Sequence, residues 1–253
     1  MVRAKKHLGQ HFLTDRNIAR KIAESLPDDA QNVVEVGPGT GFLTRELLSG
    51  RSINYFGLDV DEESVDYLKT HFPELRERFL LQDFLETRLE DFFREKITVV
   101  GNFPYNISSQ ILFKVLENRE MIATMIGMFQ KEVAERISSG PGSKRYGILS
   151  VLSRAFFDVE YLFTVHENVF RPNPKVKSAV IRLTRNAEND PDCDHSLFFK
   201  VVKTGFNQRR KTLRNSLKSI MNNTVSSHHL LSKRPEQLSV EEFSELTKVI
   251  ENA

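Results

Sequence analysis

The 253-residue chain reads as a doubly wound α/β domain followed by a small, basic, helical one. Three observations predict this. Short apolar, β-rich runs alternate with segments whose apolar residues fall at helical spacing; a glycine cluster follows the first run; and charge is split along the chain. Near-continuous apolar strands separated by helices imply a parallel sheet covered on both faces.

The strand candidates are Asn32–Val36, Ile53–Leu58, Phe79–Leu81 and Ile97–Val100. The intervening segments carry Leu43, Leu47 and Leu48; then Val65, Leu68 and Phe72; then Ile111, Leu112, Val115 and Leu116, each set on one helical face. Ala123–Phe129, Phe156–Phe163 and Ser178–Thr184 are further strands. The last two are joined by a loop, which predicts an antiparallel pair at the sheet edge. Asn186–His195 is polar, holds an Asp-Pro pair and lacks periodicity, so it reads as a linker between residues 1–185 and 196–253. Beyond it, Leu197–Gly205, Thr212–Met221 and Val240–Glu251 are expected helices.

Composition excludes several classes. Hydrophobic residues at 40% and charged residues at 28% are ordinary for a globular chain and too apolar for a disordered one. The single Cys193 closes no intramolecular disulfide, so nothing calls for an oxidising compartment. The basic start MVRAKKHLGQHFL lacks an apolar core and a cleavage site, and the longest apolar run is too short to span a bilayer; a cytoplasmic protein without membrane partners is the expectation. The net charge of +2 hides a split: residues 28–95 hold 16 acids and 7 bases, whereas 195–235 hold nine bases and no acid. A basic tract in a near-neutral chain suits a polyanion; a solvated helix face would look the same. His7, His11, the Cys193/His195 pair and His228/His229 lack recurring ligand spacing, so no metal is expected.

Glu35-Val36-Gly37-Pro38-Gly39-Thr40-Gly41 follows the first strand and opens a helix. Glycines there admit a ligand to the backbone N–H groups. Gly41 precedes Phe42 rather than Lys-Ser/Thr, which excludes a P-loop, and the spacing G-x-G-x-G misses the dinucleotide fingerprint, which disfavours a nicotinamide oxidoreductase. Asp59, 22 residues after Gly37 at the end of the second strand, is placed to accept from ribose hydroxyls. A glycine turn plus a ribose acid, without a pyrophosphate cradle, fits a nucleoside such as S-adenosylmethionine; an ordinary tight turn would use the same glycines. Asp83, ending the third strand, suits either an adenine amine or a helix N-cap.

Asn102-Phe103-Pro104-Tyr105 follows the fourth strand, at the mouth of the same crevice. Asn102 and the Phe103 carbonyl can accept hydrogen bonds, Pro104 stiffens the turn, and Tyr105 offers a ring for a base. An exocyclic adenine amine is a poor nucleophile because its lone pair is delocalised. Two acceptors holding its protons localise that pair, and positioning plus charge stabilisation can then carry an alkyl transfer.

With these residues in order, the chain resembles the ribosomal RNA adenine dimethyltransferases, specifically the bacterial small-subunit branch. The resemblance runs from Lys5 to about Asn215. It rests on Leu8-Gly9-Gln10-His11-Phe12-Leu13, the glycine turn, Asn102–Ser108, Gln130–Ala134, Gly142–Gly147, Phe170-Arg171-Pro172-Asn173-Pro174-Lys175-Val176 and Arg209–Arg214. It implies a seven-stranded methyltransferase sheet with a helical C-terminal domain. The implied reaction is S-adenosylmethionine-dependent dimethylation of two adjacent adenosines near the 3′ end of small-subunit RNA. The partners would be that RNA and assembly intermediates, with no obligate protein partner. By position, His11, Leu13, Gly37, Gly39, Asp59, Asp83 and Asn102 would line the cofactor pocket. Asn102, Pro104 and Tyr105 would hold the amine, and Phe170 would stack on the flipped base opposite Tyr105. His11 stands where the family often has Asn, Asp59 where it usually has Glu, and Phe103 where Leu is commoner.

Stacking between Tyr105 and Phe170 would offset base extrusion by roughly 1–3 kcal/mol per base. Arg209, Arg210, Lys211 and Arg214 would meet phosphates; Arg210, Arg214 and Lys218 fall at i, i+4 and i+8, while Leu213, Leu217 and Ile220 form an apolar seam. The alternatives are a large-subunit adenine dimethyltransferase of the macrolide-resistance type and a non-catalytic RNA-binding protein that checks small-subunit assembly.

Overall fold

The computed structural model describes residues 2–222 and 227–252. They form two compact units, residues 2–134 with 160–185, and residues 135–159 with the described residues beyond 185.

In the first unit, β2 (Asn32–Val36), β3 (Asn54–Asp59), β4 (Phe79–Leu81), β5 (Ile97–Asn102) and β6 (Ile122–Gln130) pair in parallel. The sheet has seven strands in the order β4-β3-β2-β5-β6-β9-β7, with β7 spanning Phe157–Val165 and β9 Ser178–Arg185. β9 runs antiparallel to β6, so the antiparallel strand sits inside the sheet and β7 takes the edge. Val33, Val34, Val99 and Val100 are wholly buried, as strands covered on both faces require. Burying each such side chain stabilises by roughly 1.5–3 kcal/mol. Helices α1 (Arg16–Glu24), α2 (Phe42–Leu48), α3 (Glu62–His71) and α4 (Ser108–Glu117) follow the strand ends. Asp15 caps α1 by accepting from the Asn17 and Ile18 amides. A two-stranded ribbon pairs β1 (Phe12–Leu13) antiparallel with β8 (Phe170–Arg171).

The second unit holds α6 (Ile148–Phe156), α7 (His195–Asn207), α8 (Leu213–Ser216) and α9 (Val240–Glu251). Phe156, Phe198, Phe206, Phe243 and Leu246 form its buried centre. The cut expected at residue 185 therefore differs from the grouping observed. Glu135–Val159 belongs with the C-terminal residues, because most of α6 is buried there. The expected linker is tied down: Asn186 and Asn189 both donate to Asp158. The expected helix Thr212–Met221 shrinks to four residues. Leu213 and Leu217 are buried as expected, and beyond Ser216 the chain continues in turns, with the Ile220 and Met221 amides both donating to the Leu217 carbonyl at 2.9 and 3.1 Å. Arg210 lies in the turn between α7 and α8, and Lys218 lies past the end of α8. Residues 223–226 of the expected C-terminal domain lie outside the described residues.

Candidate active site

The first unit contains a cleft of about 210 Å³ at the carboxyl ends of β2, β3 and β5, where strand order reverses. Gly37, Gly39, Asp59, Asp83, Asn102, Pro104 and Tyr105 all line it, as does His11.

Register places the first three. Val36 pairs with Leu58, and the Gly37 amide donates to the Leu58 carbonyl at 2.8 Å, so the glycine turn begins level with the end of β3. Gly37 takes φ +68°, and a Cβ there would meet nothing within 4 Å; the backbone faces open space that a ligand can fill. Asp59 is buried and accepts from the Gly39 amide at 3.0 Å and the Asp61 amide at 3.0 Å, one on each carboxylate oxygen. Each oxygen keeps a lone pair for a further donor. Burial raises its pKa above the ordinary carboxylate value.

Beneath the turn lies a network that sequence reasoning missed. Glu35 is fully buried on β2 and accepts from Thr44 Oγ1 and Tyr55 Oη, both at 2.7 Å. Burial pushes its pKa up to about 7 against those two bonds. The bonds join β2, the start of α2 and β3, the elements that frame the glycine turn.

Asn102 ends β5 opposite Met128. Its Nδ2 donates to the His11 carbonyl at 2.8 Å, which commits the NH2 side of the amide and leaves Oδ1 as the side that accepts. Phe103 turns its ring into the core, edge-on to Phe129 at 5.4 Å, and the Ile107 amide closes a turn on the Pro104 carbonyl at 3.1 Å. Tyr105 stacks on His11 with centroids 5.4 Å apart, and its hydroxyl lies 2.5 Å from Ser178 Oγ. Asp83 accepts from the Leu85 amide at 2.8 Å, capping a turn rather than a helix, while still facing the cleft.

The N-terminal segment roofs the cleft. His11 Nδ1–H donates to the Pro172 carbonyl at 2.7 Å, and Thr14 holds the Val169 carbonyl through its amide and hydroxyl. Asp61, the N-cap of α3, accepts from Gln10 Nε2 at 3.0 Å and from Lys5 Nζ. Burial raises the Asp61 pKa, but the bonds from Gln10, Lys5 and Ser64 outweigh it and hold the value below the ordinary one. The spacing K-x4-Q ahead of an acid two residues past Asp59 carries no signal that could have announced this contact.

Two assigned residues are not at the cleft surface. Leu13 pairs with Phe170 across the β1–β8 ribbon, and both side chains enter the core. Phe170 is wholly buried, so it presents no face to a base in this conformation. In the second unit Arg209 is half-buried and lies 3.9 Å from Glu236, whereas Arg210, Lys211 and Arg214 are exposed. His228, His229 and Glu245 bring possible ligand atoms within 4.8 Å of one another there, with His228 Nε2 3.3 Å from a Glu245 carboxylate oxygen.

The ribosomal RNA adenine dimethylase family matches residues 1–252. The chain belongs to that family. Within it, the chain is 54% identical to the ribosomal RNA small subunit methyltransferase A of Cytophaga hutchinsonii, covering 98% of both chains. It is 53% identical to the protein of the same name from Flavobacterium johnsoniae, over 99% of this chain and 97% of that one. Among solved structures, a dimethyladenosine transferase from Plasmodium falciparum shares the fold with a TM-score of 0.76 at 23% identity, covering 93% of this chain and 96% of that one. The 23S rRNA methyltransferase ErmE matches with a TM-score of 0.69 at 26% identity, covering 94% of this chain and 99% of that one. This adenine dimethylase keeps the seven-stranded sheet and the helical C-terminal part expected from its sequence.

Proposed function

We propose that this chain dimethylates two adjacent adenosines near the 3′ end of small-subunit (16S) ribosomal RNA during ribosome assembly in the cytoplasm, using S-adenosylmethionine. The reading is carried by one observation: Asn102-Phe103-Pro104-Tyr105 opens into the same cleft as Gly37 and Asp59, with the Asn102 amide oriented by the His11 carbonyl. Among the described residues no helix is long and apolar enough to cross a membrane.

The cleft fits the nucleoside donor. Gly37 leaves open space that would admit its chain, and Asp59 and Asp83, both lining the cleft, would accept from its ribose hydroxyls and its adenine amine. His11 and Gly39 border the same space. Bound there, S-adenosylmethionine supplies a methyl group on a sulfonium, so the leaving group is a neutral thioether. Asn102 Oδ1 accepts a hydrogen bond from one N–H of the target amine, and the Phe103 carbonyl accepts one from the other N–H. Those two bonds localise the nitrogen lone pair and stabilise positive charge developing on it. Pro104 stiffens the turn, and the Tyr105 ring, pinned by His11 and Ser178, gives the base a face to stack on. No side chain needs to remove a proton before attack, since the ammonium formed is acidic enough to lose it afterwards. Because Phe170 is buried, stacking here is assigned to Tyr105 alone.

A large-subunit substrate is the second reading, since the structural likeness extends to ErmE. Full-length relatives at 53–54% identity that bear the small-subunit name favour the first. The complete acceptor set favours chemistry over assembly checking alone. Incubation with labelled S-adenosylmethionine and undermethylated small subunits, followed by mass spectrometry, is expected to yield dimethyladenosine at two neighbouring positions. Label confined to large-subunit RNA, or absent, overturns the proposal.

A further inference from the structure

The loop Gly140–Gly147 plays no part in the cleft chemistry, yet it is anchored firmly within the second unit. Arg154 donates to the Ser138 and Ser139 carbonyls at 2.6 and 3.0 Å, holding the loop's entry. The Gly142 amide donates to the Glu236 carbonyl at 2.8 Å. Arg209 spans the gap: its guanidinium donates to the Ser143 carbonyl at 3.3 Å and lies 3.9 Å from the Glu236 carboxylate.

Charge is distributed unevenly around this clip. Glu236 offsets Arg209, and Glu135 pairs with Arg145 at 3.2 Å. Lys144, Arg210 and Lys211 are exposed and carry no ion pair among the described residues. Lys144 is the chain neighbour of Ser143, and Arg210 and Lys211 follow Arg209, so the Arg209–Ser143 bond brings two basic segments 66 residues apart to one place.

We propose that Lys144 contacts RNA backbone phosphate together with Arg210 and Lys211, and that Arg209 is a positioning residue that clips the loop in place rather than a phosphate ligand. The inference rests on the RNA substrate proposed above and names a surface for it. Contacts of this kind read no sequence; they set orientation and salt dependence.

The test measures binding of the full chain to undermethylated small subunits across salt concentrations, with methyl transfer followed in parallel. Each lost phosphate contact lowers the slope of log affinity against log salt by roughly 0.7–0.9. Lys144→Gln is expected to lower it by one such step. Arg209→Gln is expected to lower it by the same step, and the double variant by no more, because releasing the clip already loses Lys144. An unchanged slope in Lys144→Gln overturns the proposal, and so does a two-step loss in the double variant, which would make Arg209 an independent phosphate ligand. Lys144→Gln alters an exposed side chain, so its result stands even if Arg209→Gln folds poorly. Failure of the wild-type chain to methylate small subunits would sink the functional reading itself. Normal methylation with an unchanged slope would sink this inference alone.

Discussion

The cleft and the basic tract are both polar surfaces on apolar seats, and they are held by different means. Cleft residues sit at strand ends, where pairing decides their position: Val36 opposite Leu58, Asp59 opposite Leu81, Asn102 opposite Met128. A one-residue slip in any strand would send these side chains to the wrong face, and the buried core forbids it. The tract around Arg209–Arg214 has no such frame. Its helix is four residues long, and one of its cations is engaged with Glu236. Placement by backbone register is readable from local pattern, whereas placement by side-chain partner depends on residues far along the chain.

The largest expected effect falls on the register-placed hook. Asn102→Ala removes one acceptor aimed at the amine and should lower methyl transfer by on the order of a hundredfold or more at saturating substrate, with folding intact. Its loss of the bond to the His11 carbonyl adds to that cost. Turnover at the wild-type level, measured with labelled donor, would break the comparison at its strong end.

Two glycines divide the cleft between stability and ligand binding. Gly41 takes φ +72°, and a Cβ there would lie 2.6 Å from the Phe72 ring. Left-handed strain of about 1–2 kcal/mol and overpacking of about 1–3 kcal/mol then add, so Gly41→Ala should lower the unfolding free energy by roughly 2–5 kcal/mol. Gly37→Ala carries only the strain, since nothing lies within 4 Å of its Cβ, but the methyl enters the space reserved for a ligand. Chemical denaturation should show the larger loss in Gly41→Ala, and donor titration the larger loss in Gly37→Ala. The reverse order would place the ligand elsewhere.

Much of the sheet was legible because strands buried on both faces are mostly apolar, as Asn32–Val36 and Ile97–Asn102 are apart from Asn32, Glu35, Thr98 and Asn102. The cleft was legible for a related reason: Gly37, Asp59 and Asn102 each close a strand, so chain order alone puts them at one end of a parallel sheet. Sequence reasoning failed where a contact joins distant side chains. Nothing near Glu35 announces that Thr44 and Tyr55 will share its carboxylate, and nothing near Asp61 announces Lys5 and Gln10. The burial of Phe170 was not legible because its ribbon partner Leu13 lies 157 residues earlier. The helix Thr212–Met221 was overextended because Leu213, Leu217 and Ile220 satisfy helical spacing without requiring a helix.

Glu35 offers a smaller effect that bears on how the frame is supported. Its pKa is raised from 4.5 to about 7, so the fold favours the protonated acid. Stability from this group is therefore fully present below pH 4.5 and is lost as pH rises through about 7, by at most about 3 kcal/mol. Glu35→Gln keeps an acceptor for Thr44 and Tyr55 without the charge. The variant and wild-type chains should melt together near pH 5, and the variant should melt higher near pH 8. Parallel melting profiles across that range would mean that Glu35 does not titrate there.

The smallest effect tests a cleft residue whose side chain is held by other side chains. Tyr105→Phe removes the hydroxyl that lies 2.5 Å from Ser178 Oγ and keeps the ring stacked on His11. One hydrogen bond contributes about 0.5–1.5 kcal/mol net, so transfer should fall roughly two- to tenfold, mainly through weaker capture of the base. Single-turnover rates at rising RNA concentration separate that capture from the chemical step. A loss as deep as that of Asn102→Ala would show that the cleft, like the basic tract, depends on side-chain clips. The contrast between the two regions would then fail where it is most exposed, at a residue whose backbone lies beyond the last strand pair.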